Sequence, residues 1–225
     1  MPNSFSKTMT IFFPLLAVLL FTLWSTPIDL AVSQYFYHQG EFDSSPTTLW
    51  IYHYAIFPAW IVVGLAICGS VASIFLPRLK FFRPAFLYLI LVLAIGSGIF
   101  VHAIFKDHWG RPRPKQIIEF GGAQSFLPYY KPRFNHSFEP SKSFPCGHCS
   151  VGFYFFSFLW LGKHYRSYFL YILGLFLTIS LGGALSYARL AQGGHFFSDV
   201  IFSALIMWLT SIGCYQMIFK SSYSP

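Results

Sequence analysis

The chain has 225 residues, of which 55% are hydrophobic and only 10% are charged. Soluble globular domains carry roughly 25% charged residues, so this composition excludes an ordinary soluble domain, a disordered chain and a disulfide-stapled secreted scaffold. The formal net charge is nonetheless +8, from 15 Lys and Arg against 7 Asp and Glu. We therefore expect one integral membrane domain over residues 1–225, in which the few cations occupy specific places.

Six apolar segments approach the length of about 20 residues that a helix needs to cross a bilayer. They are Met9–Ser25, Trp50–Leu76, Pro84–Phe105, Cys149–Leu161, Ser167–Tyr187 and Phe197–Phe219. The first resembles a signal peptide, but Pro14 interrupts its apolar core and Pro27 follows the place of a cleavage site, which favours an uncleaved span. The segment Pro27–Leu49 is predicted to form a short interfacial helix without a catalytic role. The expected fold class is an all-α, six-helix membrane bundle.

The basic residues of the short loops predict the orientation. Cations lie in the loop after the second span, in the loop after the fourth span and next to both termini: Arg78, Lys80, Arg83, Lys163, Arg166, Lys7 and Lys220. By the positive-inside rule these regions are cytoplasmic. The loop Lys106–His148 then lies on the far side, although it carries seven Lys and Arg residues. Such a loop could simply be solvated or bind anionic headgroups, but a chemical role would also explain its charge.

Three clusters on the far side contain the residue types of an anion-binding site. They are Lys106–Pro114, Pro145–His148 and Arg189–Asp199, each next to an end of a predicted span, within residues 106–199. Helix ends near one membrane face can meet in a bundle, so we expect the three clusters to converge.

The cations and histidines of these clusters suit phosphoryl transfer. Lys106, Arg113 and Arg189 offer one point charge and two planar forks for phosphoryl oxygens and for the charge of the transition state. His195 and Asp199 are four residues apart and share a face if a helix begins near Gly194, so the carboxylate would orient the imidazole as a nucleophile.

His148 supplies the second half of that chemistry, because a protonated imidazole can donate to the leaving oxygen as a general acid. Gly147 would let backbone N–H groups approach the anion. Two alternatives remain open: His195 and Asp199 form a purely structural pair, or they bind a metal together with His148, against which the nearby cations argue. The other histidines considered are interpreted as structural or surface residues: His38, His53, His102, His136 and His164.

The four cysteines fall into two groups. Cys68 and Cys214 lie within apolar spans and are interpreted as small buried hydrophobic residues. Cys146 and Cys149 have the C-x-x-C spacing of thiol–disulfide exchange centres, although the chain lacks the βαβ pattern of thioredoxin-like domains. Whether these two form a disulfide is left open by the sequence.

The three clusters together resemble the three-part signature of the type 2 phosphatidic acid phosphatases, which are relatives of the vanadium haloperoxidases. The matching patterns are Lys106-x6-Arg113-Pro114, Pro145-Cys146-Gly147-His148 and Arg189-x5-His195-x3-Asp199. The resemblance implies a six-span, metal-independent phosphatase without cofactor, in which His195 forms a phosphohistidine and His148 and Asp199 assist. It further implies that phosphate is bound by this set: Lys106, Arg113, Arg189, Cys146 and Gly147. Cys146 replaces the usual serine, whose hydroxyl is a stronger donor than a thiol, and Ala188 replaces the serine usually found before the arginine of the third part.

The stretches Phe105–Pro114 and Gln192–Val200 look most similar to the bacterial lipid A 4'-phosphatases, which act at the periplasmic face of the Gram-negative inner membrane. This implies a multi-pass inner-membrane protein with a lipid or glycolipid phosphate substrate, no nucleic acid and no obligate protein partner. Arg111 and Lys115 are candidate contacts to the substrate headgroup. The alternative substrates are the lipid A 1-phosphate, undecaprenyl pyrophosphate and phosphatidylglycerol phosphate, and transfer to an acceptor other than water is also open. Other classes are a thiol oxidoreductase using Cys146 and Cys149 and a non-catalytic lipid transporter.

Overall fold

A computed structural model describes residues 4–134 and 141–219; the predictions for His136 and Lys220 lie outside these ranges. The regular secondary structure of the described chain is helical apart from a short hairpin. Its α-helices are α1 Ser4–Thr22, α2 Ser25–Phe36, α3 Pro46–Tyr54, α4 Phe57–Phe75, α5 Arg83–Leu91, α6 Gly147–Phe153, α7 Phe156–His164, α8 Tyr168–Leu177, α9 Gly183–Ala191 and α10 Phe197–Phe219. The hairpin pairs β1 (Tyr37–His38) with β2 (Glu41–Phe42) in antiparallel register. The expected all-α class is therefore confirmed.

Wider and tighter helical turns connect these elements. A π-helical stretch, Val92–Lys106, continues α5, and another, Thr178–Gly182, joins α8 to α9. Shorter 3₁₀ turns span Pro77–Phe82, Pro114–Gln116 and Ile118–Phe120. The first π-helical stretch ends at Lys106, so one long helical rod carries this cation at its C-terminal end.

Four continuous helical segments of the described chain are long and apolar enough to cross a membrane. They are Pro46–Phe75, Pro77–Lys106, Tyr168–Ala191 and Phe197–Phe219. The pair formed by α1 and α2 is bent by 78° and adds a fifth span if it is counted as one. The expected fourth span, Cys149–Leu161, is divided between α6 and α7 by a turn at Tyr154 and Phe155.

Helix α10 is the central helix of the bundle. In its most apolar 18-residue window 61% of the residues are buried, against 22–33% in the other three long segments. It packs against α1, α2, α5, α6, α7 and the stretch Val92–Lys106. Large apolar side chains on the outer helices, such as Phe13, Leu65 and Phe169, are exposed, as expected for surfaces that contact lipid.

In its described part, the loop between Lys106 and α6 is irregular, as its prolines predict. It folds back over one end of the bundle. The Trp109 indole N–H donates to the Tyr129 carbonyl at 2.7 Å, and its ring packs against Phe144. Ile117 and Phe120 form a second small core with Phe196, just before α10. These contacts attach the loop to the start of α10.

Candidate active site

His195 and Asp199 form a buried pair at the start of α10. Their side chains are 1% and 0% exposed, and His195 Nδ1 lies 3.6 Å from Asp199 Oδ2. The same carboxylate oxygen accepts hydrogen bonds from the Phe196 backbone N–H at 2.8 Å and from the Ser143 hydroxyl at 2.5 Å. Because the carboxylate is fixed from several sides, it can hold the orientation of the imidazole.

Burial lowers the pKa of His195 to about 3; Asp199 opposes this shift, and the charges of Lys106 and Arg189 add to it. The imidazole is therefore neutral at pH 7. A neutral imidazole has a free lone pair on one nitrogen, which is the form required of a nucleophile.

The three predicted phosphate-binding cations meet around this pair, each from a different element. Lys106 ends the stretch Val92–Lys106, Arg189 lies in the last turn of α9, and Arg113 precedes the turn Pro114–Gln116. The buried Nε atoms of Arg113 and Arg189 have no hydrogen-bond partner among the described residues. A buried donor without a partner is costly, so a bound anion would satisfy both guanidinium groups.

Two glycines allow the cations to approach the backbone closely. A Cβ atom at Gly194 would lie 2.2 Å from Arg189 Nη2, and a Cβ atom at Gly147 would lie 3.2 Å from Lys106 Nζ and 2.7 Å from His102 Nε2. Side chains at these two positions would displace the phosphate-binding groups. Gly147 thus lies within the site, as the sequence predicts.

His148 lies at the start of α6 and stacks on Tyr52, with the ring centroids 4.2 Å apart. The Arg189 guanidinium lies over the same tyrosine, 4.8 Å from its ring centre. Burial lowers the pKa of His148 to about 4, and Arg189, Lys106, His102 and His53 lower it further. The expected general acid is therefore neutral at pH 7 in the absence of phosphate.

His53 and His102 lie closer to the site than the sequence predicts. The His53 ring contacts Tyr52, and His102 lies against Gly147. His102 Nδ1 is also 2.7 Å from the Ser97 carbonyl oxygen, five residues earlier in the π-helical stretch. Both histidines, which the sequence predicts to be structural or surface residues, therefore lie next to residues of the site. No spacing in the sequence links either of them to His148.

Arg111 does not contact a substrate headgroup, contrary to the sequence-based prediction. Its side chain is fully buried, with ion pairs to Asp199 and, at 2.8 Å, to Asp29. It also donates to the Ser198 hydroxyl and the Leu127 carbonyl, both at 2.8 Å, and lies over the Phe196 ring. Because these contacts engage all three of its side-chain nitrogens, Arg111 fixes the Asp199 carboxylate from the interior of the bundle.

Asp29, on α2, is a residue that sequence reasoning missed. Its carboxylate accepts hydrogen bonds from the Ser198 N–H at 2.8 Å and the Ser198 hydroxyl at 2.6 Å, in addition to its ion pair with Arg111. The segment Pro27–Leu49, for which no catalytic role was expected, therefore supports the start of α10. An acidic residue within an otherwise apolar stretch is the signal that could have identified it.

Cys146 does not bind phosphate through its thiol, because it forms a disulfide with Cys149. Both side chains are fully buried, and the bonded sulfur has no S–H to donate. The disulfide closes the turn that carries Gly147 and His148. The Ser203 hydroxyl fixes the same turn by donating to the Cys146 carbonyl at 2.9 Å.

Lys115 is exposed beside the other cations, where the sequence predicts a headgroup contact. Partial burial and the charges of Arg113 and Arg189 lower its pKa. Its backbone N–H donates to the Gly193 carbonyl at 3.2 Å, which ties this part of the loop to the segment before α10. Lys115 therefore adds positive charge at the outer edge of the site.

An apolar cavity of about 420 Å³ reaches the site from the bundle side. It lies between α4 and the helical rod of α5 and Val92–Lys106, where Trp60, Val63 and Leu93 contribute apolar walls, and it ends at Gly147 and His148. A hydrocarbon chain fits walls of this composition.

Comparisons with known proteins agree with this arrangement. The chain is 33% identical over 161 residues to a Lipid A 4'-phosphatase of Francisella tularensis subsp. novicida, an alignment that covers 71% of this chain and 69% of the relative. Lipid A 4'-phosphatases of Rhizobium etli and Rhizobium leguminosarum are 34% and 31% identical over 53% of this chain. The alignments cover 43% and 47% of these two relatives, so the chain spans less than half their length. No solved structure is significantly similar.

A family model matches residues 87–223, a range that contains every cation and both histidines of the site. The match covers more than half of the chain, and the Francisella relative extends the similarity towards the N-terminus. With the buried His195–Asp199 pair and the converging cations in the matched region, the chain belongs to the PAP2 superfamily.

Proposed function

We propose that this chain is a lipid A 4'-phosphatase of the bacterial inner membrane, which hydrolyses a phosphate monoester through a phosphohistidine at His195. The observation that carries the proposal is the convergence of Lys106, Arg113 and Arg189 on the neutral, buried His195 next to Asp199. The names of the three relatives support lipid A and the 4' position.

In the first half-reaction, the free ring nitrogen of His195 attacks phosphorus and forms an N–P bond. The bond between phosphorus and the 4' oxygen of the sugar breaks, and this oxygen receives a proton from His148. The phosphorylated imidazole carries a positive charge, which Asp199 stabilises through Nδ1. The three cations stabilise the equatorial phosphoryl oxygens in the transition state.

In the second half-reaction, His148 accepts a proton from water, the water oxygen attacks phosphorus, and the N–P bond breaks. Inorganic phosphate takes the proton from His148 and leaves as the monoanion, so that His148 and His195 both return to their neutral forms. The same imidazole thus acts first as an acid and then as a base, as microscopic reversibility requires.

The first step needs a proton that the empty enzyme does not hold, because the pKa of His148 is about 4. Phosphate monoesters have a second pKa near 6, so a fraction of the substrate enters as the monoanion and brings the proton. The second negative charge that remains on the bound phosphate raises the pKa of the neighbouring imidazole. His148 can then hold this proton until the sugar oxygen leaves.

The apolar cavity supports a lipid substrate. It joins the surface between α4 and the rod Val92–Lys106 to Gly147 and His148. An acyl chain in this cavity would remain in the apolar part of the bundle while the phosphate reaches the cations. This geometry supports sideways entry of the substrate from the lipid, and with the topology proposed below the substrate would come from the outer leaflet.

The proposed topology has six spans, with α6 and α7 together as the fourth, and an active site that faces the periplasm. The segment Pro77–Lys106 carries Arg78, Lys80 and Arg83 near its N-terminal end and the catalytic cation Lys106 at the other end. The positive-inside rule assigns the first end to the cytoplasm. The chemistry then occurs on the opposite side.

Mass spectrometry of lipid A tests this proposal. Cells that produce the wild-type protein should contain lipid A without the 4'-phosphate, and cells that produce His195→Ala should retain it. His108→Ala is the matched control, since this exposed imidazole contacts only the carbonyl of Ile104 at 3.2 Å among the hydrogen bonds described. Wild-type cells with fully phosphorylated lipid A, or phosphate removal by His195→Ala, would contradict the proposal.

A further inference from the structure

A second cavity, of about 510 Å³, adjoins the active site and shares no lining residue with the apolar cavity. We call it the outer cavity: it is lined by the β1–β2 hairpin, helix α3, the 3₁₀ turns after Arg113 and the C-terminal end of α9. Two of its wall residues connect it to the active site, because Tyr52 stacks on His148 and the Arg189 guanidinium lies over Tyr52. A group bound there would therefore lie next to the phosphate.

Three stacked side chains, His148, Tyr52 and Arg189, connect the outer cavity to the active site. Tyr52 packs against His148 on one side and under the Arg189 guanidinium on the other. The outer cavity contacts Arg189 and Tyr52, and the apolar cavity ends at His148. The proposed phosphate site thus lies between the apolar cavity and the outer cavity, whose lining residues are different.

The lining of the outer cavity is rich in aromatic rings. Tyr37, Phe42 and Phe120 pack against one another, with centroid distances of 5.1–5.5 Å, and Tyr52 adds a fourth ring. Such rings present flat apolar faces at low entropic cost, because they are fixed by their mutual packing. A ligand with a flat C–H face can stack on them.

Polar groups lie between the rings. Glu41 offers an exposed carboxylate, Lys115 an exposed ammonium group, and Gln192 an amide whose buried Nε2 has no hydrogen-bond partner among the described residues. An acyl chain in this cavity would leave these groups without partners, which costs free energy. A ligand with hydroxyl or amide substituents would satisfy them.

A pyranose ring meets both requirements. It has apolar C–H faces for the aromatic rings, and its edge carries hydroxyl or amide groups for Glu41 and Gln192. A glycerol backbone has no comparable face and would leave most of the volume unfilled. The volume also falls within the usual range of about 300–1,000 Å³ for small-molecule sites.

We infer that the outer cavity binds the sugar ring that carries the scissile phosphate and thereby selects glycolipid phosphates over glycerolipid phosphates. The inference rests on the proposed function, which supplies the phosphorylated sugar. It assigns substrate selection to the β1–β2 hairpin and helix α3, outside the three catalytic clusters.

The test compares two substrates in the same detergent micelles: bisphosphorylated lipid A and phosphatidic acid, a phosphate monoester without sugar. Glu41→Ala removes an exposed acceptor, and Ser44→Trp fills the cavity from an exposed position. Each should lower kcat/KM for lipid A at least tenfold and change kcat/KM for phosphatidic acid less than twofold. The control Glu119→Ala, an exposed carboxylate outside the cavity, should leave both values unchanged.

Equal losses for both substrates, no loss for either, or a wild-type enzyme without preference for lipid A would overturn the inference. The position of the phosphate removed is measured separately by mass spectrometry. Selective loss in the variants with release from the 1 position would retain the sugar site and reject the 4' assignment. Release at the 4' position without selective loss would retain the proposed function and reject the sugar site.

Discussion

The buried cation Arg111 provides the strongest test of the site's architecture. Arg111→Met keeps an unbranched side chain of similar length but removes the charge between two buried carboxylates, Asp29 and Asp199. It also removes the donors to Ser198 and to the Leu127 carbonyl. Two carboxylates then lie close together without a cation, in a region that water does not reach.

Removing one partner of a buried ion pair costs about 3–5 kcal/mol, because the other charge remains desolvated. For a protein of this size, each kcal/mol lowers the melting temperature by roughly 2–4 °C. Arg111→Met should therefore lower the apparent melting temperature by about 6–20 °C. The double variant Arg111→Met/Asp29→Asn should lose less than the sum of the two single variants, since the second change neutralises one of the stranded carboxylates.

The assay is thermal unfolding of detergent-purified protein, followed by the loss of the monodisperse peak in size-exclusion chromatography. Lys115→Ala serves as the matched control, because this cation is exposed and should leave the melting temperature nearly unchanged. If Arg111→Met melts like the wild type and only binds lipid A more weakly, Arg111 is a headgroup contact and the reasoning above is wrong.

Two further predictions concern the disulfide and the proton supply. The double variant Cys146→Ser/Cys149→Ser should retain phosphate release, because neither sulfur takes part in the proposed chemistry. Its free energy of unfolding should fall by about 2 kcal/mol, because the short disulfide loop is opened. A double variant that is folded but inactive would contradict this prediction. Because the pKa of His148 in the empty enzyme is about 4 and the second pKa of the substrate phosphate is near 6, kcat/KM should fall about tenfold per pH unit above roughly pH 7. A kcat/KM that is constant from about pH 6 to 9 would show that the proton does not arrive with the substrate monoanion.

Much of the candidate site could be predicted because its signals are local. The composition requires a membrane protein, and the excess of cations in one far-side loop points to an anion. The i, i+4 spacing of His195 and Asp199 predicted a pair on one face of a helix that begins near Gly194. Helix α10 begins at Phe197, so His195 lies just before the helix and meets Asp199 in its first turn. Gly147 and Gly194 occupy positions where a side chain would displace a neighbouring cation or imidazole.

The count of spans was less predictable. Apolar length alone made Cys149–Leu161 a separate span, whereas this segment is divided between two short helices that pack in the interior against α8, α9 and α10. A helix surrounded by other helices does not need the length or uniform apolarity of one that faces lipid. The hydropathy of a segment cannot distinguish these two cases, because it does not depend on which helices pack against that segment.

The sequence by itself determined the class of protein and the order of the three clusters, and it singled out His195 and Asp199 as the proposed nucleophile and its carboxylate partner. Only the tertiary structure decided that Arg111 is an internal support, because its partner Asp29 lies 82 residues away on α2. The same holds for Tyr52, which joins His148 to Arg189 from α3. Whether a cation meets solvent or a buried carboxylate depends on helices that are distant along the chain, and no local spacing encodes that contact.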